Sequence, residues 1–314
     1  MTNKNKYERI QAINIDTGEI EGTIYKRVDS NSGVSLKLIH PGQEKAIKEK
    51  TENIEQISSY IKANEGKFFH LVYKYSYPLM VELQEKYPGT KADIHIIRFI
   101  ILGTYLTFNN RLFDDNWNEI KKSSLSKIWN TTSRNSINET FEALKECGYI
   151  TINERGFIMI NEDILNKGSI KDFKKLRDKD KDLTYTRVFS ENLQRIYEGT
   201  PSRQRTQLAI LFKILPFINY KYNVLCTNPT EEDTKKIDVM SWQELAQICG
   251  YDVDNLSRLK RDLKKLKIYD SEVIGQFETG KGKKIVVNPK VYYAGNDIND
   301  VMYLYKMFEM TPKK

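Results

Sequence analysis

The 314-residue sequence predicts an α+β fold, mainly helical, in which two tandem winged helix-turn-helix domains follow a small β-rich N-terminal region. Three observations predict it. Residues 241–297 read as a short helix, a small-residue turn, a strongly basic helix and two strand-like runs joined by a Gly-Lys-rich turn. Residues 91–165 repeat the same order of elements in degenerate form. Residues 7–39 alternate apolar and polar positions, the period of a strand.

In chain order, IQAINI, a DTGE turn, IEGTIYKRV, a DSNSG break and VSLKLI predict two or three antiparallel strands. A polar, helix-prone segment over 42–65 places Ile47, Ile54, Ile57 and Ile61 near helical spacing. The aromatic stretch KFFHLVYKYSYPLMVELQEKY has no period that assigns it to helix or strand, and it closes an N-terminal region of undefined role over 1–90. The first winged helix is expected over 91–165. It comprises a buried helix in ADIHIIRFIILGTYLTFN, a short one over 122–129, a third over 132–147 carrying Ile137, Phe141 and Leu144, and two strands turning at Arg155-Gly156. Residues 166–202 read as a charged linker. The second winged helix, over 203–300, opens with an apolar helix over 203–220 that holds Pro216 near its end, and a tail follows over 301–314. The repeat aligns Leu125 and Ile128 with Leu245 and Ile248. With one residue gapped, it aligns Ile137, Leu144 and Cys147 with Leu256, Leu263 and Leu266.

Composition narrows the function classes. Hydrophobic residues make up 39% and charged residues 29%, and 19 Tyr with 13 Phe are too many aromatics for a disordered chain. The net charge of +8 favours an anionic partner, nucleic acid before a membrane surface. MTNKNKYERI lacks the apolar core of a signal peptide. The longest apolar run, IHIIRFIILGTYLTF, contains Arg98 and is short for a bilayer span, so a cytoplasmic protein with no membrane partner is expected. The three cysteines, Cys147, Cys226 and Cys249, lie far apart with no zinc spacing, and Cys147 and Cys249 sit in apolar helical contexts that suit buried residues.

The chemistry concentrates in the basic helix. With Leu256, Leu259, Leu263 and Leu266 facing the core, Asn255, Ser257, Arg258, Arg261, Lys264 and Lys265 face outward. Residues 255–267 carry six cations (Arg258, Lys260, Arg261, Lys264, Lys265, Lys267) against Asp262 alone. In a winged helix this helix enters the major groove, where Arg grips guanine bidentately and Asn grips adenine. Asn255, Arg258 and Arg261 are therefore the expected base readers. The remaining lysines, with Lys281, Lys283 and Lys284 at the wing tip, are expected on phosphates. The corresponding helix of the first domain sets Arg134 and Lys145 against Glu139, Glu142 and Glu146, a net charge of −1. Phosphate repels such a helix, so only its N-terminal end, Ser133, Arg134, Asn135 and Asn138, with Arg155 on the wing, is expected to touch DNA weakly. A protein interface, or a duty shared with DNA, is the favoured reading for that domain.

Two patterns imitate other sites. GQFETGKG over 275–282 nearly matches a phosphate-binding loop, but Gly282 stands where a Ser or Thr must hold magnesium, and a strand follows where a helix must begin. His95 has no second histidine at metal-ligand spacing, and the chain holds only His40, His70 and His95. No nucleophilic pair stands out, and Asp114-Asp115 lies in a loop with no partner motif. No catalytic residue, metal or cofactor is expected.

The phrase KKIVVNPKVYYAGND, with Asn288-Pro289 after the wing strand and Tyr292-Tyr293 before Gly295, resembles the C-terminal half of the small RepL-type replication proteins of Gram-positive plasmids. The two-domain layout is similar to plasmid and phage initiators that bind repeated origin sites. The resemblance covers about 205–297 and does not reach 1–90. It implies origin binding, contacts with host replication proteins and repression of the protein's own promoter. The reading is a sequence-specific protein on double-stranded DNA from a mobile element of a low-GC bacterium, as a replication initiator and a homodimer on its site. The alternatives are a transcriptional regulator with the same chemistry and host transcription proteins as partners, or a protein-interaction module whose basic face only solubilises.

Overall fold

The computed structural model describes residues 7–13, 20–29 and 33–39, isolated positions between 43 and 55, and 67–310 except 108–109, 169–184, 270, 280–281 and 296. Among these residues the protein is mixed α/β. It divides into two compact units, residues 1–57 and 58–314. The first holds a three-stranded antiparallel sheet, β1 (Tyr7–Ile13), β2 (Ile20–Asp29) and β3 (Gly33–Ile39), paired in that order. The connecting turns, and the expected stripe of Ile47, Ile54, Ile57 and Ile61, lie outside the described residues.

The second unit is built on a four-stranded sheet of order β13-β8-β4-β7. Its centre pairs β4 (Phe68–Val72) antiparallel to β8 (Tyr185–Phe189), with His70 opposite Arg187. Each of these strands runs straight into a helix: β4 into α1 (Tyr73–Lys86), which packs beside α2 (Thr90–Gly103), and β8 into the helix Ser190–Gly199. After α2 come α3 (Leu125–Ile128), α4 (Arg134–Glu146), the hairpin β5 (Ile150–Ile152) and β6 (Ile158–Ile160), and β7 (Leu165–Asn166). The second half repeats this order. It runs α5 (Ser190–Gly199), a 3-10 helix over Ser202–Ala209 continued by α6 (Ile210–Lys213), α7 (Trp242–Cys249) and α8 (Ser257–Lys265). Then follow β9 (Lys267–Ile268), β10 (Ser271–Glu272), the hairpin β11 (Ile274–Thr279) and β12 (Gly282–Val287), β13 (Tyr292–Tyr293) and α9 (Ile298–Glu309).

Several expectations need correction. The stretch without a clear period is β4 and α1, so residues 58–90 join the larger unit and no boundary falls at residue 90. The helix expected over 203–220 is a 3-10 helix, one α-turn and a second 3-10 turn over Leu215–Phe217 that Pro216 opens. The polar half, Ser202–Gln207, carries no apolar residue to set a helical phase, and Pro216 interrupts the apolar half. The tail is α9, whose Val301, Leu304, Tyr305 and Phe308 are buried, with the Asp297 carboxylate capping the N–H of Asn299. The linker expected over 166–202 is contradicted: Asn166 closes β7, Tyr185–Phe189 is the buried strand β8 and Ser190–Gly199 is α5, while 169–184 lie outside the described residues.

One hydrophobic cluster runs through both halves, from Phe69 to Tyr292. Polar contacts clasp them as well. Lys213 Nζ lies 2.7 Å from an Asp93 carboxylate oxygen, with both side chains largely buried. The Arg205 guanidinium donates to the carbonyls of Trp129 and Asn130, both at 3.2 Å, and Tyr197 Oη donates to the Trp129 carbonyl at 2.8 Å. Three of the five residue pairs of the sequence repeat carry matching burial, Leu125 with Leu245, Leu144 with Leu263 and Cys147 with Leu266, whereas Ile128 and Ile137 are buried and their counterparts Ile248 and Leu256 half-buried.

Candidate nucleic-acid interface

The helix pair α7–α8 is positioned by local chemistry. A capping box starts α7: Ser241 Oγ accepts from the Glu244 N–H, and the Glu244 carboxylate accepts from the Ser241 N–H at 2.6 Å. Gly250 ends the helix at φ 76°, in the left-handed region a glycine enters without penalty. In α8 Leu259, Leu263 and the following Leu266 are buried, and Leu256 is half-buried against the same core. Arg258, Lys260, Arg261, Lys264, Lys265 and Lys267 are all exposed. Asn255 and Ser257 are exposed too, but they stand at the start of the helix, where the Asn255 side chain accepts from the Ser257 N–H. The acid counted against these cations, Asp262, is buried. It accepts from Tyr251 Oη at 3.2 Å and Lys265 Nζ at 3.3 Å, with Arg258 Nε and Arg261 Nε each 3.9 Å away. The carboxylate thus sits beneath the cations, and the outward surface is basic.

The β11–β12 hairpin follows. Its register sets Glu278 opposite Lys283 and Phe277 opposite Lys284; Lys283 is exposed, Lys284 half-buried, and Lys281 lies outside the described residues. Gly275 is part of strand β11, which excludes a phosphate-binding loop there, and a Cβ on it would strike the rings of Phe277 and Phe308. Trp242 Nε1 donates to Gln276 Oε1 at 2.9 Å and ties the hairpin to α7, while Lys260 Nζ lies 5.0 Å over the Trp242 ring. Phe277 meets Phe308 edge-on at 5.2 Å, so the hairpin also leans on α9. Sequence reasoning missed this support, although Val301, Leu304, Tyr305 and Phe308 carry a helical stripe.

The Asn-Pro phrase has a structural task. Asn288 is buried and its side-chain amide donates to the Glu272 carbonyl at 3.0 Å, after which Tyr292 and Tyr293 pair with Val188 and Arg187 in the central sheet. The buried Arg187 guanidinium donates to the carbonyls of Tyr293 and Gly295.

The first helix pair differs from its expected electrostatics. Ser133 caps α4 by accepting from the Ser136 N–H, and Ser133, Arg134, Asn135, Asn138 and Arg155 are exposed. Its three acids are paired from outside the helix: Glu139 with Lys91 at 2.8 Å, Glu142 with Lys122 at 2.9 Å and Glu146 with Lys86 at 2.5 Å. These lysines hold Glu139 and Glu146 below the usual carboxylate range. The repulsion expected from counting charges along the helix is therefore largely cancelled in space. Behind α4 the Arg98 guanidinium donates to the Ser136 carbonyl and to Thr140 Oγ1, and His95 Nδ1 lies 3.0 Å from the same hydroxyl. Burial lowers the His95 imidazole to about 4. His95, which has no second histidine at metal-ligand spacing, packs with Arg98 against Thr140 of α4.

Among the described residues no cluster of His, Cys, Asp or Glu is placed to hold a metal ion, and no helix is long and apolar enough to cross a membrane. No family model, no curated protein and no solved structure matches the chain.

Proposed function

We propose that the protein is a sequence-specific double-stranded DNA-binding protein with two winged helices, α7–α8–β11–β12 and α3–α4–β5–β6, and that it initiates replication at repeated origin sites of a plasmid or phage. The outward face of α8 carries this reading: five exposed cations share a helix with one buried carboxylate, Lys267 follows in β9, and the helix leucines are turned into the core. Phosphate attraction and bidentate base contacts need such a face. Asn255, Arg258 and Arg261 read bases, while Ser257, Lys264, Lys265, Lys281, Lys283 and Lys284 hold the backbone. In α4 the exposed N-terminal Ser133, Arg134, Asn135 and Asn138 supply further contacts, with Arg155 on the hairpin. The initiator role draws on the Asn-Pro phrase and its family resemblance. Pull-down of fragments of the carrying element at about 0.15 M salt, followed by sequencing, tests both levels. Directly repeated sites beside an AT-rich stretch are expected. A site over a promoter alone makes the protein a transcriptional regulator, and uniform or absent recovery removes specific DNA binding.

A further inference from the structure

At one end of the central sheet three segments finish together. β4 begins at Phe68, which faces Phe189 at the end of β8, and β7 ends at Asn166 opposite His70. Lys67, Lys167 and Ser190 therefore meet at this end, and the Ser190 N–H donates to the Lys67 carbonyl at 2.8 Å. The end of α2 and the turn after it lie across from them. Between them is a cleft of about 730 Å³, lined at this end by Lys67, Lys167 and Ser190 and elsewhere by Tyr105, Phe113 and Trp117. That volume is in the range of small-molecule sites, about 300–1,000 Å³.

Its two ends differ in chemistry. Lys67 and Lys167 have no carboxylate partner among the described residues, and burial, with the charge of Lys67 adding, lowers the Lys167 ammonium to about 8. Ser190, the first residue of α5, is 3% exposed, lines the cleft, and its hydroxyl has no hydrogen-bond partner among the described residues. Among the described residues, two cations without a carboxylate partner, an unpartnered hydroxyl and a helix N-terminus together call for an anion. The other end is aromatic. Trp117 is 76% exposed at φ 60° and is held there by its N–H donating to the Asp114 carbonyl at 3.0 Å. The Asp114 carboxylate fixes the turn by accepting from the N–H groups of Asn116 and Asn118. A large side chain kept in the left-handed region at full exposure is held for a contact rather than for the core. Asp115 and Glu191 also line the cleft and can accept from hydroxyls.

We propose that this cleft binds a nucleoside 5′-phosphate unit, the phosphate between Lys67, Lys167 and the Ser190 hydroxyl, the base against Trp117 and Phe113, and the sugar hydroxyls on Asp115 and Glu191. The unit is either a free nucleotide or the 5′ end of a single strand. None of the lining residues belongs to α8 or the β11–β12 hairpin, so the assignment stands or falls apart from the duplex-reading face. Calorimetric titration of the full chain with AMP, adenosine, inorganic phosphate and 5′-phosphorylated decadeoxyadenylate tests it. AMP is expected to bind about tenfold or more tightly than adenosine or phosphate, since each supplies one end only. Lys67→Gln with Lys167→Gln brings AMP to the adenosine level, and Trp117→Ala weakens AMP and adenosine alike by about tenfold, with unchanged melting. Binding of AMP but not of the oligonucleotide identifies a free nucleotide as the ligand, and preference for the oligonucleotide identifies a strand end. No binding of either up to about 1 mM, AMP binding no better than phosphate, or variants that bind as the parent does overturns the assignment.

Discussion

Replacing Arg258 and Arg261 by alanine separates the proposed DNA chemistry of α8 from its fold. The two side chains are 75% and 66% exposed, and each guanidinium Nε stands 3.9 Å from Asp262. That buried carboxylate keeps Lys265 Nζ and Tyr251 Oη at 3.3 and 3.2 Å when both arginines are gone. It is not left unpaired, and ion pairs this exposed contribute about 0–1 kcal/mol each, so the urea midpoint should move little. On a specific duplex each arginine that grips a guanine edge is worth about 1–3 kcal/mol, or roughly 5- to 150-fold in Kd. The assay is fluorescence anisotropy with a duplex carrying the recovered site and with a random duplex, at one salt concentration. The expected result is a large loss on the specific duplex and a small one on the random duplex. Equal losses on both would make these arginines phosphate contacts, and a collapsed urea midpoint would make them structural; either refutes the assignment.

The remaining predictions concern the hairpin, the first helix pair and acid stability. Changing Lys281, Lys283 and Lys284 together to alanine should flatten the plot of log affinity against log salt by up to about three units, whereas an unchanged slope removes the hairpin from the interface. Changing Glu139, Glu142 and Glu146 together to glutamine releases Lys91, Lys122 and Lys86 beside α4. If α4 lies on DNA the same plot steepens, and a constant slope places α4 elsewhere. His95 titrates near 6.5 when unfolded but at about 4 when folded, because burial disfavours its cation. The unfolded chain binds the extra proton, so the stability this group contributes is full above about 6.5 and is lost as the pH falls toward 4. The urea midpoint should fall between pH 7 and 5 and fall less in His95→Gln; identical profiles would show that His95 is not the group responsible.

Much of the second half was legible because its signals are local. Leu259, Leu263 and Leu266 mark a helix face by spacing, Gly250 marks the turn, and the strands of the hairpin flank a Gly-Lys-rich stretch. The central sheet was not legible, since its strands are short and its pairing joins residues over a hundred positions apart. Two of its inward positions, His70 and Arg187, are polar and fully buried, which breaks the apolar pattern of a core strand. The run after Pro201 divides into a polar half and an apolar half rather than into two faces, so no period showed its breaks. The charge of α4 failed for a related reason: Lys86, Lys91 and Lys122 come from 60, 48 and 20 residues before their acids, so no count along the helix includes them.

That last difference bears on how the two halves divide a shared task. In α8 the only acid is turned inward beneath its neighbours, and among the described residues no carboxylate from outside the helix pairs with its cations. In α4 the acids face outward and are met by lysines of neighbouring segments, leaving a surface near charge balance with uncharged Asn135 and Asn138 at its exposed N-terminal end. Attraction to phosphate scales with surplus cations and weakens with salt, while hydrogen bonding to base edges by uncharged side chains depends on salt far less. On the proposed reading, α8 therefore supplies most of the affinity and its salt dependence, and α4 adds discrimination at little electrostatic cost. On the same reading, the clasp of Arg205 on Trp129 and Asn130, and of Lys213 on Asp93, would let the second act follow the first without a further search, because both helices belong to one compact unit.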